Sequence, residues 1–168
     1  MIATVLASAA ATAQPKSAGA VFGFSGIAAS YEHMMDKDSF SEISLKISTE
    51  DIFRGRLRTP GVQASYIWNT YADKRILKED GTLIRLYGGP GVSAGYVSDW
   101  DCGYGILLGL TGNFGAEFQF RRNIQINIFL SPTIGIHTHK IQNGFRISLY
   151  KYGMLALATP NIAVRYAF

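Results

Sequence analysis

Two histidines one residue apart are the clearest candidates for chemistry. His137 and His139 flank Thr138 near the end of a predicted strand, where alternation places both imidazoles on one face. Such a pair suits a metal ion or, with a neighbouring hydroxyl, the base of a nucleophilic site. No third metal ligand is evident, and the only hydroxyl candidates are Thr138 and Ser148. We therefore expect no metal site and no catalytic site here.

A second set of candidates consists of charged residues on the polar faces of predicted strands. An unpaired charge enclosed there would cost several kcal/mol, so acids and bases must pair. We expect a structural polar network rather than a catalytic carboxylate or a proton path. Its members are Glu32, Glu42, Lys46, Arg85, Glu117 and Arg165.

Two further clusters carry weaker signals. Asp99 and Asp101 could coordinate a cation, although an exposed acidic loop is the expected structure. Gly88-Gly89-Pro90-Gly91 is no phosphate cradle, because no helix follows it. No cofactor is expected.

The elements that carry these residues are strands. Apolar and polar residues alternate with a period of two, which is typical of strands with one apolar face, and no segment forms a convincing amphipathic helix. The alternating segments are 43–47, 62–69, 108–121, 124–131 and 161–168.

Composition excludes several classes of protein. The single cysteine, Cys102, rules out a disulfide scaffold. No apolar stretch of about 18 residues is present, which argues against membrane-spanning helices. The net charge of +4 is modest and its basic residues are scattered, so no nucleic-acid partner is expected.

The apolar strand faces point either to the core of a soluble protein or to lipid. The polar faces hold mainly Ser, Thr, Asn, Gln and Gly, and lysines are nearly absent from them. Mean hydropathy is +0.10 although no stretch is continuously apolar. Both features favour strands that turn apolar residues to lipid and polar residues to a packed interior.

The first thirteen residues have a separate role. They are small or apolar, uncharged, and end in Ala11-Thr12-Ala13, a pattern suited to signal-peptidase cleavage. We interpret 1–13 as the remnant of a signal peptide, although a basic beginning is missing, and 14–168 as one barrel domain.

The chain resembles a known family. Its last eight residues, 161–168, resemble the C-terminal signal of Gram-negative outer-membrane proteins, with Tyr166 and Phe168 at the aromatic positions. Segments 87–96, 109–120 and 128–136 resemble a small porin-like outer-membrane β-barrel domain family. The resemblance implies an all-β fold: a single antiparallel eight-stranded up-and-down transmembrane β-barrel in the bacterial outer membrane. It also implies insertion by the barrel-assembly machinery, and no assigned biochemical role for most members.

This topology places strands and loops along the chain. Strands are expected near 19–25, 27–35, 40–49, 61–72, 82–97, 105–120, 124–138 and 159–168. Turns at 36–39, 73–81 and 121–123 would face the periplasm. Outer loops would fall at 25–27, 50–60, 98–104 and 139–158, with 145–158 as possible extra strand.

Aromatic residues are expected to form two girdles, one at each rim of the barrel. The periplasmic girdle would contain Phe40, Tyr71, Phe120 and Phe168, and the outer girdle Phe53, Tyr96, Trp100 and Tyr104.

The leading functional hypothesis is a non-enzymatic outer-membrane barrel with an envelope-structural or surface-interaction role through its outer loops. Arg54, Arg56 and Arg58 would lie in one such loop and could contact the phosphates of lipopolysaccharide. The alternative is a lipid A-modifying hydrolase, because some lipid A deacylases are eight-stranded barrels with a His-x-Ser pattern. Here that stretch is His-x-His. A soluble ligand-binding barrel is a third class, and it needs an apolar interior.

The C-terminal resemblance leads to a first prediction. Deleting Phe168 should reduce the amount of folded barrel and expose the protein to periplasmic proteolysis, because the assembly signal loses its last aromatic residue. Heat-modifiable gel mobility of membrane fractions measures this. Unchanged amounts of heat-modifiable protein would contradict the assignment.

Overall fold

The computed structural model describes residues 16–49, 60–77, 81–100, 102–120, 123–141 and 144–168. For residues 73–75 and 77 the structure describes only the backbone. The expected signal segment 1–13, Phe53 and the three loop arginines Arg54, Arg56 and Arg58 also lie outside the described residues.

The described chain consists of strands and one short helix. The first six strands are β1 (Lys16–Gly23), β2 (Gly26–Asp36), β3 (Ser39–Ser48), β4 (Gly61–Leu77), β5 (Leu83–Ser98) and β6 (Tyr104–Gln119). They are followed by β7 (Ile124–Leu130), β8 (Thr133–Ile141), β9 (Gly144–Leu149), α1 (Lys151–Leu155) and β10 (Asn161–Ala167). The described residues include no helix long and apolar enough to cross a membrane.

The strands close into an eight-stranded antiparallel barrel, as predicted. Strands β1 to β6 pair in chain order, β7 pairs with β6 and β10, and β10 closes the ring against β1. Strands β8 and β9 are additional to these eight: β8 continues the position of β7 along the first half of β6, and β9 pairs with β8.

Strands β7 and β8 together occupy the seventh position of the barrel wall, with a break between them. β7 pairs with the second half of β6 and β8 pairs with its first half, and Ser131-Pro132 separates the two. Proline cannot donate a ladder hydrogen bond, so it interrupts the strand here. Beyond the break β8 takes β9 as its neighbour, whereas β7 takes β10.

The register around the ring sets the width of the barrel. The paired row from Ala116 runs through Ile128, Ile162, Phe22, Ile27, Ile47, Val62 and Tyr96. It returns to β6 at Ile106, ten residues from where it started. Such a stagger tilts the strands, and eight tilted strands enclose only enough space for side chains.

The apolar faces point outward. Leu110 and Phe114 are each 69% exposed, while their neighbours Thr111 and Asn113 are buried in the lumen. The same inversion holds along β3, where Ile43 is exposed and Glu42 is buried. Outward apolar and inward polar residues are the arrangement found in β-barrels of the outer-membrane type.

Two aromatic residues expected in the periplasmic girdle face the lumen instead. Phe40 and Tyr71 are buried, whereas Phe168 is 65% exposed. Strand alternation explains the difference, because Phe40 shares its face with Glu42, and Tyr71 shares its face with Asn69. The girdle expectation was wrong for these two residues.

The segment 139–158, which was expected to be an outer loop, contains regular secondary structure. β8 and β9 form a hairpin that continues to Leu149, and α1 follows. The strand extension at 145–158 that the sequence left open is present only in its first part. Strand β4 also runs to Leu77, which shortens the expected turn 73–81.

The outward face leads to a second prediction. Phe114→Arg should lower the free energy of unfolding by about 2–4 kcal/mol, because a charge on the lipid face of a barrel loses its hydration. The control Phe114→Leu keeps the position apolar and should cost less. Urea unfolding in lipid vesicles measures both, and equal losses would argue that this face does not contact lipid.

Candidate functional site

The lumen contains a guanidinium group that joins three strands. Arg165 of β10 is 2% exposed, and its Nη2 donates to Glu42 Oε1 of β3 at 2.9 Å. Its Nη1 lies 3.1 Å from Glu32 Oε1 of β2, an ion-pair contact without hydrogen-bond geometry. Its Nε donates to Ser30 Oγ at 3.0 Å. One cation therefore lies against two buried carboxylates, which belong to the neighbouring strands β2 and β3.

A second ion pair lies beside the first. Arg85 Nη2 of β5 donates to Glu117 Oε1 of β6 at 2.5 Å, and Tyr71 Oη donates to Glu117 Oε2 at 2.8 Å. The Arg85 guanidinium carbon also lies 3.8 Å from the centre of the Tyr71 ring. Strand register brings the two residues together, because Arg85 and Glu117 are directly opposite each other across the β5–β6 ladder.

Neutral polar side chains complete the contacts of the two clusters. Asn113 Nδ2 donates to Glu42 Oε2 at 2.9 Å, and Ser17 Oγ donates to Glu32 Oε2 at 2.6 Å. We call Glu32, Glu42, Arg85, Glu117 and Arg165 the ion-pair layer. The sixth residue of the expected set, Lys46, lies nearer the end of the barrel opposite the chain termini, where Nζ donates to Ser25 Oγ at 3.4 Å.

Aromatic rings surround the ion-pair layer. The Phe40 ring lies 4.9 Å from Tyr71 and 5.4 Å from Tyr87, and Tyr87 lies 6.5 Å from Phe129. Apolar rings beside the charges lower the local dielectric, which strengthens charge pairing. Strict period-two alternation along β3 and β4 was the sequence signal that would have placed Phe40 and Tyr71 here.

The ion-pair layer borders two cavities. One, of about 60 Å³, lies towards the end that carries the β3–β4 and β5–β6 connections, which we call the loop end, and is lined by Glu42, Lys46 and Gln63. The other, of about 230 Å³, lies at the end with Lys16 and Ala167, the terminal end. Arg85 and Glu32 line this second cavity. Charged side chains therefore stand between the two ends of the lumen.

The loop end of the lumen is filled by α1. Tyr150 and Tyr152 pack into a core with Val97 and Leu107, whose side chains point inward from β5 and β6. Asp99 holds the segment, since its Oδ1 accepts from the backbone N–H groups of Lys151 at 3.0 Å and Tyr152 at 3.2 Å.

The expectation of an exposed acidic loop was therefore wrong for Asp99, which is 1% exposed. The carboxylate is buried because it accepts from the first backbone N–H groups of α1, which have no partner within the helix. Asp101 lies outside the described residues.

The two histidines point into the same end of the lumen. Their rings stack with centroids 5.6 Å apart, and His137 Nε2 lies 3.0 Å from the carbonyl oxygen of Val97. Ser148 Oγ donates to the backbone carbonyl of His137 at 3.3 Å and contacts Cys102 Sγ at 3.8 Å. Within the described ranges no three potential ligands group around a metal position.

The expected assembly residues lie on the last strand. β10 pairs with β1 on one side and β7 on the other. Tyr166 is 57% exposed and Phe168 65% exposed, so both rings point away from the lumen.

These features together define a class of protein. A closed eight-stranded antiparallel barrel with an apolar exterior and a charged, filled lumen is a β-barrel of the outer-membrane type. Among solved structures, the chain is similar to the N-terminal β-barrel domain of Pseudomonas aeruginosa OprF, with a TM-score of 0.51. The similarity covers 92% of this chain and 96% of that one at 11% identity, so it concerns the fold. No family model and no curated protein matches the sequence.

The ion pair of Arg85 and Glu117 leads to a third prediction. Glu117→Ala should lower the free energy of unfolding by about 3–5 kcal/mol, because it leaves Arg85 as an uncompensated buried charge. The double variant Glu117→Ala/Arg85→Met should lose less, since no charge remains unpaired. Gln119→Ala on the same face is the control and should change little. The single variant Arg85→Met completes the cycle, and a double variant that loses the sum of the two single effects would show that the pair is not coupled.

Proposed function

We propose that this protein is a non-enzymatic outer-membrane barrel with a structural role in the cell envelope or an interaction role at the cell surface. The observation that carries the proposal is the inverted polarity of a closed barrel. Large apolar side chains cover its outside, while Arg165, Glu32 and Glu42 are buried inside. This distribution suits a lipid environment and leaves a water-soluble form with an exposed apolar surface.

The filled lumen argues for a role other than transport. An eight-stranded barrel has room for its own side chains and little else. The ion-pair layer with its aromatic rings occupies one part of that space, and α1 with its flanking Tyr150 occupies the part towards the loop end. Function is therefore carried by the outer surface and by the connections between strands.

The partners we propose follow from this location. Lipid and lipopolysaccharide would contact the apolar band, and Arg54, Arg56 and Arg58 would bind lipopolysaccharide phosphates by paired hydrogen bonds. The barrel-assembly machinery would recognise Tyr166 and Phe168 during insertion. With its outer loops at the cell surface, the barrel would have its terminal end facing the periplasm.

Cell fractionation tests the location. The protein should sediment with outer membranes and shift its gel mobility on heating, because a folded barrel resists detergent until it is boiled. Recovery as a folded soluble protein would contradict the proposal.

Planar lipid bilayers test the closed lumen, which is our fourth prediction. The wild-type barrel should give no stable single-channel steps, because charged and aromatic side chains fill the lumen. A triple variant, Arg165→Ala/Glu32→Ala/Glu42→Ala, removes one ion-pair cluster completely and should conduct more often than wild type. Stable ion-selective steps from the wild-type protein would contradict a closed barrel.

A further inference from the structure

The outside of the barrel carries an apolar groove that crosses strands β3, β4, β5, β6 and β8. Its volume is about 800 Å³, within the range of about 300–1,000 Å³ that is typical of ligand sites. We call it the outer groove. Large, exposed side chains form its sides: Ile43, Tyr66, Leu108, Leu110, Ile134 and Ile136.

Two alanines form the floor of the outer groove. Ala64 of β4 and Ala94 of β5 are directly opposite each other in the ladder, and both are exposed on the outer face. The next residues in the same row are larger, Leu45 on β3 and Leu108 on β6. Because a methyl group extends less far than a leucine side chain, strand register produces a depression in the apolar wall at this point.

The shape of the outer groove selects a hydrocarbon chain. Lipid tails are as apolar as leucine, so association within a bilayer depends on van der Waals packing rather than on a hydrophobic gain. A flexible chain in the groove contacts the floor and both sides. A flat part of the wall offers contacts on one side only, and each lost contact reduces the dispersion attraction.

A cation lies beyond the groove on the same outer face. Lys140 is exposed and follows Ile136 by four residues along β8, which places it about 13 Å further towards the loop end. Within the described part of the chain no carboxylate pairs with its ammonium group. Lys140 is therefore available to an anionic group of a molecule whose tail lies in the groove.

Two tyrosines mark the level of lipid head groups near Lys140. The rings of Tyr96 and Tyr104 stack with centroids 5.8 Å apart, and Tyr96 is exposed on the outer face. Tyrosines on the outside of a membrane protein are typical of the boundary between hydrocarbon and head groups. The outer groove therefore lies at the depth of acyl chains, and Lys140 lies at the depth of phosphates.

We propose that the outer groove and Lys140 form a binding site for lipid A, the acylated and phosphorylated anchor of lipopolysaccharide. One acyl chain lies over Ala64 and Ala94, and a phosphate contacts the ammonium group of Lys140. The proposal rests on the outer-membrane location proposed above, which places the loop end in the outer leaflet. It is independent of the three loop arginines, because it uses only the barrel wall.

The experiment uses the full chain folded in detergent micelles and titrated with lipid A, with bound lipid counted by native mass spectrometry. The wild-type protein should form a saturable one-to-one complex. Dephosphorylated lipid A should bind about fivefold more weakly, because it lacks the contact with Lys140. Glucosamine 1-phosphate, which has a phosphate and no acyl chain, should show no saturable binding.

Matched variants locate the acyl chain. Ala94→Leu fills the floor of the groove and should weaken the binding of both forms of lipid A about fivefold or more. Ala64→Leu fills the same floor from β4 and carries the test if Ala94→Leu does not fold. The control is Ala29→Leu, an exposed alanine on β2 outside the groove lining, which should bind like wild type.

A second set of variants locates the phosphate. Lys140→Gln should weaken the binding of lipid A about fivefold and leave the binding of dephosphorylated lipid A unchanged. The control is Lys37→Gln, an exposed lysine between β2 and β3 at the opposite end of the barrel. It should bind both lipids like wild type. Heat-modifiable mobility confirms that each variant is folded.

Three results would overturn the proposal. The first is a folded wild-type barrel that forms no one-to-one complex with lipid A. The second is wild-type binding by the folded groove variants, or a loss in Ala29→Leu equal to that in Ala94→Leu. The third is lipid A binding by Lys140→Gln that equals that of wild type. A barrel that sediments with outer membranes and gives any of these results loses the lipid A site and keeps its proposed location, whereas a folded soluble protein loses both.

Discussion

The contact on which the barrel depends is the one between Arg165 and the carboxylates of Glu32 and Glu42. The side chains are buried, and each would be strongly unfavourable alone. Because Arg165 belongs to the closing strand and the two acids belong to β2 and β3, the cation is satisfied only when the ring is complete. The ion pairs and the closed barrel therefore stabilise each other.

The narrow lumen follows from strand number and stagger together. Eight strands displaced by ten residues enclose a lumen narrow enough for polar groups of facing strands to come within hydrogen-bonding distance. Phe40, Tyr71 and Tyr87 fill the space that ion pairs cannot, and Arg85 stacks on Tyr71. Confinement in the narrow lumen gives burial of the charges a high free-energy cost, and it also brings their partners close.

The wall is completed by different means at its two ends. At the terminal end the ladders between β10, β1 and β7 continue almost to Phe168. At the loop end the seventh strand breaks at Ser131-Pro132 and changes its neighbour from β10 to β9. The carboxylate of Asp99 then holds α1 by its backbone N–H groups, and two tyrosines fill the lumen there.

The sequence by itself determined the strands, their inside and outside faces and hence the fold class, because alternation with a period of two is a local property. It also indicated which charged residues share the polar face, since Glu42 and Lys46 can be assigned to it by counting. Only the tertiary structure decided which charges meet: Arg165 lies 123 positions from Glu42 along the chain, and Lys46 lies towards the loop end. The burial of Asp99 and of Tyr150 and Tyr152 at the start of α1 could not be predicted from sequence patterns either, because it depends on where the wall is interrupted. Contacts across a lumen are set by register and closure, which no single strand encodes.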